Sequence, residues 1–286
     1  MRRLSLSLLG LLALAGGGAG LWAAAPMPSV PALDAPRRVV SMNLCADQLV
    51  LALADRSQIA GLTRNAANAD MSSEAARARG LRMLGSSAEE ILEIKPDLVI
   101  GMPVYRSSAI AILRGRRYRT VDLRSADTLT DIHASIRATA AALGHPERGE
   151  ALIGAMADRL AATSMPGRGR VAAFYQRRGF MTGTGTLVDD LMQRVGLVNL
   201  ADRLGRPALS QLSIEELVAA RPDFLIVDGA TDRVTDQGSE MLHHPALRDI
   251  PRIRIPQAWT VCGGPSYALA AQSMARQIDA IDARHR

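Results

Sequence analysis

One arrangement of hydrophobic and polar positions occurs at two places in the chain. The stretches SAEEILEIKPDLVIG (87–101) and SIEELVAARPDFLIVDG (213–229) each begin with Ser-x-x-Glu, the capping-box signature of a helix start. A short apolar-periodic helix follows, a proline ends it, and the next run of strand formers is apolar on both faces. The unit is therefore a helix, a turn and a buried strand. Two such units far apart predict two similar α/β lobes rather than a short-period solenoid.

The rest of the pattern places strands and helices in alternation on either side of a purely helical stretch. Strands are predicted near 38–42, 58–62, 81–85, 98–100, 118–123, 171–176, 223–228 and 252–255. Beside the helix of each repeat (214–220 in the second), helices are predicted near 43–55, 127–143, 146–163, 186–195 and 266–283. This order predicts an α/β fold of two Rossmann-like lobes with parallel-type sheets, joined by a long rigid helix. The predicted domains are an N-terminal lobe at 37–126, a helical connector at 127–165 and a C-terminal lobe at 166–286.

The N-terminus does not fit this pattern of lobes. A basic start at Met1–Arg3 and an uncharged apolar run at Leu4–Ala25 predict a secretory signal peptide. The run is also long enough to stay uncleaved as a membrane anchor. Residues 26–36 are proline-rich and are expected to form a leader. Both alternatives predict a chain that is exported to the periplasm.

Charge and motifs argue against two other classes of protein. The formal net charge is +6, but the arginines are scattered and Lys95 is the only lysine, which disfavours a nucleic-acid interface. The chain has no G-x-S-x-G, Walker A or H-E-x-x-H motif, so no enzyme is predicted. The pair His243-His244 has no acid or cysteine at ligand spacing, which favours a helix end over a metal site.

The two cysteines, Cys45 and Cys262, lie near opposite ends of the chain, and each follows a predicted strand. Both are expected to face the same crevice. Three interpretations stay open: two small core residues, two ligands or caps of a bound metal chelate, or a disulfide that joins the lobes. Export to an oxidising compartment favours the disulfide.

These features together resemble a known family. Two α/β lobes, a helical connector, a signal and a unit of the form E-x-I/L-x-x-x-x-P-D-L-V-I in each lobe are similar to the periplasmic binding proteins for iron–siderophores and vitamin B12. The opening RVVSMNLCADQ and the ending WTVCGGP also look like this family. The resemblance covers roughly residues 37–283. It implies a monomer in the periplasm that has no intrinsic cofactor and delivers its ligand to the permease dimer of an ABC importer.

The resemblance also implies roles for particular residues. Glu89 and Glu215 would be the carboxylates that dock on the permease, although they could simply favour the positive ends of their helices. The ligand would lie between the lobes, at the carboxyl ends of the strands. The residues expected to line this site are Asn43, Leu44, Cys45, Arg64, Tyr105, Arg106, Tyr175, Gln176, Arg177 and Trp259.

The ligand expected from these residues is a metal chelate. Arginines in the loops favour an acidic ferric siderophore, and the aromatic content of 3% weakens the case for a corrinoid. The order of expectation is therefore siderophore, then cobalamin or another corrinoid, then haem or a different chelate. A membrane-anchored sensor on the same fold and an exported enzyme are the alternatives to an importer subunit.

Overall fold

The computed structural model describes residues 35–85, 87–101, 118–232, 234 and 236–284. The predicted signal peptide and most of the predicted leader lie outside these ranges. Among the described residues, no helix is long and apolar enough to cross a membrane.

The N-terminal sheet is parallel throughout. Its strands lie in the order β3-β2-β1-β4-β5. They are β1 (Val39–Ser41), β2 (Ile59–Thr63), β3 (Met83–Leu84), β4 (Leu98–Gly101) and β5 (Arg119–Asp122). The central strands β1 and β4 are buried on both faces, as their unbroken apolar runs predict.

The C-terminal sheet is largely parallel, which agrees with the predicted α/β class, but two of its pairings are antiparallel. Its order is β11-β10-β6-β7-β9, with β8 beside β6, and β7 runs antiparallel to both β6 and β9. Only residues 176–179 connect β6 to β7. A parallel neighbour requires a crossover of a dozen residues or more, so this short turn forces the antiparallel pairing. The strands are β6 (Val171–Tyr175), β7 (Phe180–Thr182), β8 (Val198–Asn199), β9 (Leu209–Gln211), β10 (Phe224–Asp228) and β11 (Arg252–Ile255).

Helices cover the sheets and connect them. Those of the described chain are α1 (Leu44–Leu53), α2 (Ala88–Ile94), α3 (Leu129–Leu143), α4 (Pro146–Ala161), α5 (Leu187–Arg194), α6 (Leu200–Arg203), α7 (Ile214–Ala220), α8 (Gln237–Glu240) and α9 (Tyr267–Arg284). The pair α3 and α4 follows the last strand of one sheet and precedes the first strand of the other. Gly144 ends α3 in the left-handed conformation, and Pro146 begins α4, as expected from their backbone preferences.

A single apolar cluster runs through both lobes. It extends from Leu49 in α1 through Ile136 in α3 and Met156 in α4 to Ile226 in β10 and Ile278 in α9. Because the connecting helices contribute to this cluster, they are part of the core rather than a free tether. From this packing we expect the lobes to close only slightly on a ligand.

The helix starts of the two repeats differ in one detail. Ser213 caps α7 with a complete capping box, in which Glu216 accepts a hydrogen bond from the Ser213 backbone N–H. Ser87 accepts from the backbone N–H groups of Glu89 and Glu90, but the Glu90 carboxylate does not reach back. One oxygen of Glu90 is instead buried beside Gly85. The capping-box prediction is therefore confirmed in the second copy and wrong in the first.

The helix ends of the repeats are alike. Lys95 and Arg221 both adopt the left-handed conformation, with φ angles of 50° and 46°. The aspartate that follows each proline then bonds to the start of the neighbouring strand. Asp97 accepts hydrogen bonds of 2.8 Å from the backbone N–H groups of Arg37 and Arg38. Asp223 accepts one of 2.7 Å from Val171, so the Pro-Asp pair holds the central strands of each sheet in register.

Replacing Asp97 by alanine is expected to destabilise the fold. The change leaves two backbone N–H groups without their charged acceptor, which costs about 1–3 kcal/mol. Urea unfolding measures this as a lower midpoint with an unchanged slope. Asp70→Ala is the control, because Asp70 is exposed and its side chain makes no hydrogen bond among the described residues. Equal midpoints for the two variants would contradict the role given to Asp97.

Candidate ligand-binding cleft

A cleft of about 840 Å3 lies between the two lobes, at the carboxyl ends of several strands. Parts of its wall follow β5, β6 and β11, and Asp228 ends β10. This is the position in which open α/β sheets bind ligands. The lining residues are Cys45, Leu49, Leu123, Arg124, Ser125, Ala126, Asp127, Ser135, Phe174, Gln176, Arg177, Arg178, Phe180, Thr182, Thr186, Leu187, Val188, Leu209, Asp228, Thr231, Gln257, Thr260, Val261, Cys262 and Gly263.

The cleft combines an apolar wall with charged groups. Phe174, Phe180 and Leu187 present apolar surface, and Leu209 on the edge strand β9 is 62% exposed. The charged lining residues are three arginines and two aspartates, namely Arg124, Arg177, Arg178, Asp127 and Asp228. Such a surface can bind a ligand with an apolar body and polar or anionic groups at its periphery.

The turn after β6 carries most of the polar groups of the C-terminal lobe. The Gln176 amide donates to the Thr182 hydroxyl at 2.7 Å, which ties the turn to β7. Arg177 forms a close ion pair with Asp236, the N-cap residue of α8. Gln176, Arg177 and Cys45 all line the cleft, where they were predicted to lie.

Tyr175 is not among the residues that line the cleft, although it was predicted to line the ligand site. Its side chain is 0% exposed, and its hydroxyl donates to the backbone carbonyl of Leu212 at 2.7 Å. Burial, assisted by the charges of Glu215 and Glu216, raises the pKa of Tyr175 to about 12. Tyr175 is therefore uncharged, and its hydrogen bond to Leu212 supports the turn that follows β6. Alternation along β6 explains this, because neighbouring side chains on a strand point to opposite faces.

Four further predicted residues also lie outside the lining. Trp259 is half-buried and packs against the main core. The Asn43 side chain accepts from the backbone N–H of Ala46 and caps α1, while Leu44 is the first residue of that helix. Arg64 is exposed in the loop that follows β2. Tyr105 and Arg106 lie outside the described residues.

A buried carboxylate holds the end of β2, next to Arg64. Asp47 in α1 is fully buried and accepts hydrogen bonds from the backbone N–H and the hydroxyl of Thr63, the last residue of β2. These bonds hold the end of β2 against α1. Burial raises the pKa of Asp47 to about 6, although the hydrogen bonds from Thr63 and Ser41 oppose the shift.

The floor of the cleft joins the two lobes covalently. Of the three interpretations of the cysteines, the structure has the disulfide: Cys45 at the start of α1 is bonded to Cys262, 217 residues further along the chain. The next residue, Gly263, lies against Ala126, so closely that a Cβ atom there would be 2.2 Å from the Ala126 carbonyl oxygen. The lobes therefore meet at two adjacent points on this floor.

Glu89 and Glu215 occupy matching positions outside the cleft. Each is the second residue of its helix, α2 or α7, and each is exposed. Their side chains are therefore accessible to a partner, and their role in docking stays a prediction.

Sequence reasoning overlooked part of the lining. Arg124 is the second residue after β5, and Asp228 is the last residue of β10. Both could have been predicted, because ligands of open α/β sheets bind at the carboxyl ends of the strands. Phe180 and Leu209 lie on β7 and β9, the short antiparallel strands that the pattern did not reveal. They reach the cleft only because the turn after β6 reverses the chain.

Comparisons with known proteins agree with this fold and site. A family model described as "Periplasmic binding protein" matches residues 39–254. The vitamin B12-binding protein of Pectobacterium carotovorum subsp. carotovorum strain PC1 is 25% identical over 261 residues, which cover 86% of this chain and 90% of that protein. The periplasmic heme-binding protein RhuT from Roseiflexus sp. RS-1, in apo form, is 25% identical. It superposes with a TM-score of 0.68 over 85% of this chain and 97% of that one.

A more distant structure shows the same fold. The periplasmic vitamin B12 binding protein BtuF of Vibrio cholerae is 18% identical, with a TM-score of 0.65 over 86% of this chain and 98% of that one. These likenesses define a two-lobed binding protein rather than an enzyme. The chain belongs to the periplasmic binding protein family.

Thiol chemistry tests the covalent floor of the cleft. The denatured, unreduced protein is expected to contain no free thiol. Reduction is expected to lower the free energy of unfolding by up to about 5 kcal/mol, because a closed loop of this length restricts the unfolded chain. Thiol titration and denaturant unfolding with and without a reductant measure the two effects. The double variant Cys45→Ser/Cys262→Ser should not respond to the reductant, and two free thiols in the native chain would contradict the bond.

Proposed function

We propose that this protein is the periplasmic substrate-binding subunit of an ABC importer, and that it captures a metal chelate in the cleft between its lobes. A ferric siderophore is the ligand that the site favours most. The observation that carries this proposal is the cleft itself, because it combines about 840 Å3, an apolar wall and three guanidinium groups. Membership of the periplasmic binding protein family supports the same function.

The polar groups of the cleft suit a ligand that brings its own metal coordination. In the described lining they are guanidinium, carboxylate, amide and hydroxyl groups, and the two cysteines are joined to each other. Haem iron in proteins is usually held by a histidine, thiolate, methionine or tyrosine. Groups of the kind found here recognise instead the periphery of a chelate whose metal is already enclosed.

The charges favour a siderophore with acidic groups. Arginine forms paired hydrogen bonds with carboxylates, and Arg124 and Arg178 have no ion-pair partner among the described residues. A corrinoid is the second candidate, because curated relatives over most of the chain are vitamin B12-binding proteins. Those relatives are 25% and 24% identical, a distance at which the ligand of a binding protein can change.

Export and docking complete the proposal. The basic start and apolar run of residues 1–25 would direct the chain to the periplasm. Glu89 and Glu215 would then contact the two subunits of a permease dimer. Two exposed carboxylates at equivalent positions of two repeated helices suit a partner with twofold symmetry.

Ligand binding can be measured directly with a panel of chelates. We expect a ferric siderophore to bind the purified protein more tightly than cyanocobalamin or haemin, as judged by titration calorimetry and absorption spectra. Thr260→Trp should weaken this binding at least tenfold, because it places a bulky ring in the cleft. Ala69→Trp is the matched control, since Ala69 is exposed outside the lining. If a corrinoid binds most tightly, it replaces the siderophore as the proposed ligand. Equal effects of the two variants on affinity would contradict the assignment of this cleft as the binding site.

Docking can be separated from ligand binding by charge reversal. In Glu89→Lys/Glu215→Lys, we expect the ligand affinity to stay within about twofold of wild type while uptake through the cognate permease falls at least tenfold. The two lysines would be repelled by a permease surface that is complementary to the two carboxylates. Glu147→Lys/Asp158→Lys is the control, because it reverses two exposed charges on the connector helix α4. Normal uptake by the Glu89/Glu215 variant would refute the assignment.

A further inference from the structure

We propose that Arg178 is a specificity-determining residue of the cleft, and that its guanidinium binds an anionic group of the ligand. This inference rests on the proposed function and goes further, because it selects one arginine and one ligand chemistry. The ligand class is a metal chelate that carries carboxylate groups at its periphery.

The backbone at Arg178 is the first observation. Arg178 has φ 59° and ψ 24°, in the left-handed region, and it lies in the turn that joins β6 to β7. A side chain with a Cβ atom is disfavoured in this region, and of the four described non-glycine residues with a positive φ, Lys95, Arg168, Arg178 and Arg221, Arg178 is the one that lines the cleft. Strained residues of this kind collect at binding sites, where the surrounding structure holds them in place. Arg178 lines the cleft, so the strain occurs at the site itself.

Hydrogen bonds around the turn hold Arg178 in its left-handed conformation. Gly179 donates to the Gln176 carbonyl at 3.2 Å, and its own carbonyl accepts from Leu212 at 2.9 Å. Leu212 in turn accepts the hydroxyl of the buried Tyr175. Gly179 is left-handed as well, and a Cβ atom on it would lie 2.8 Å from the Leu212 carbonyl oxygen. These contacts therefore fix the backbone position of Arg178 in the turn.

The side chain of Arg178 packs closely against a second glycine, Gly238. A Cβ atom on Gly238, in α8, would lie 3.1 Å from Arg178 Cγ. The aliphatic part of Arg178 thus passes over Gly238 at close range. A larger residue at 238 would press against this stem, so the bare backbone of α8 leaves room for the arginine to reach the cleft.

The charges near the turn distinguish Arg178 from its neighbour. Arg177 is neutralised by its ion pair with Asp236. Within the described structure Arg178 has no carboxylate at ion-pair distance, although Asp228 lines the same cleft. One oxygen of Asp228 accepts hydrogen bonds from the backbone N–H groups of Ala230 and Gln257. Arg178 is thus a guanidinium available to the ligand.

An uncompensated guanidinium in a partly apolar cleft favours an anionic partner. Its donors are arranged as a fork that matches the two oxygens of a carboxylate. Arg178 is exposed at the cleft, so a neutral chelate of similar size would leave its donors to water, whereas a carboxylate would bind them. We therefore infer discrimination between chelates by charge, and not by size alone.

The test compares Arg178→Gly with Arg221→Gly. Glycine at either position relieves a left-handed arginine, but Arg221 lies at the end of α7 and outside the cleft lining. The probes are ferric citrate, whose carboxylates are anionic, and ferrichrome, a neutral hydroxamate chelate, added to the intact protein at low and high ionic strength. Calorimetric titration gives the affinities and thermal unfolding gives the melting temperatures.

We expect Arg178→Gly to weaken ferric citrate binding at least tenfold, to leave ferrichrome binding within about twofold, and to reduce the salt dependence of ferric citrate binding. Its melting temperature should equal or exceed that of the wild type, since strain is removed. Arg178→Lys should retain part of the affinity, because it keeps the charge but loses the fork. Arg221→Gly should bind both probes as the wild type does.

The outcomes separate this inference from the proposed function. Wild-type affinity for ferric citrate in Arg178→Gly overturns the inference alone, and so does a wild type that binds ferrichrome but not ferric citrate. A lower melting temperature with equal loss of both probes would make Arg178 a structural residue, which also overturns it. A wild type that binds no chelate of the wider panel overturns the proposed function and this inference together.

Discussion

An aspartate carboxylate at the start of a central strand is the interaction on which each lobe depends. Asp97 and Asp223 follow the prolines of the two repeats. Asp97 accepts two backbone N–H groups at the start of β1, and Asp223 accepts one at the start of β6. A parallel sheet has no short turn to set its register, so a side-chain contact at the strand start is an effective substitute. The carboxyl ends of the same strands then lie at fixed heights, and these ends form the cleft.

The turn after β6 connects the cleft with the helix that carries Glu215. Leu212 bonds to both Gly179 and Tyr175 in this turn, and Ser213, the next residue, caps α7. Glu215 lies within the first turn of that helix. The residue proposed to contact the ligand and the residue proposed to contact the permease are therefore supported by one short segment of backbone. A rigid segment of this kind keeps both surfaces in a constant relation.

The floor of the cleft limits how the lobes can move. The disulfide from Cys45 to Cys262 and the backbone contact of Gly263 with Ala126 lie side by side, next to the entrance to α3. The apolar cluster that runs through α3 and α4 adds a second connection. We expect these connections to keep the cleft close to one shape, and a cleft that changes little on binding has a lower ordering cost.

The sequence by itself determined the α/β class, the repeat, the central strands and helices, and three lining residues, Cys45, Gln176 and Arg177. Local patterns carry this information, because apolar runs, caps and prolines act over a few residues. The tertiary structure decided the rest. It placed Tyr175 on the face of β6 opposite to Phe174, where it is buried, and it reversed the chain after β6, so that Phe180 faces the cleft. It also joined two distant cysteines and packed Trp259 against the core. These contacts are made by residues far apart in the chain, so local sequence patterns do not predict them.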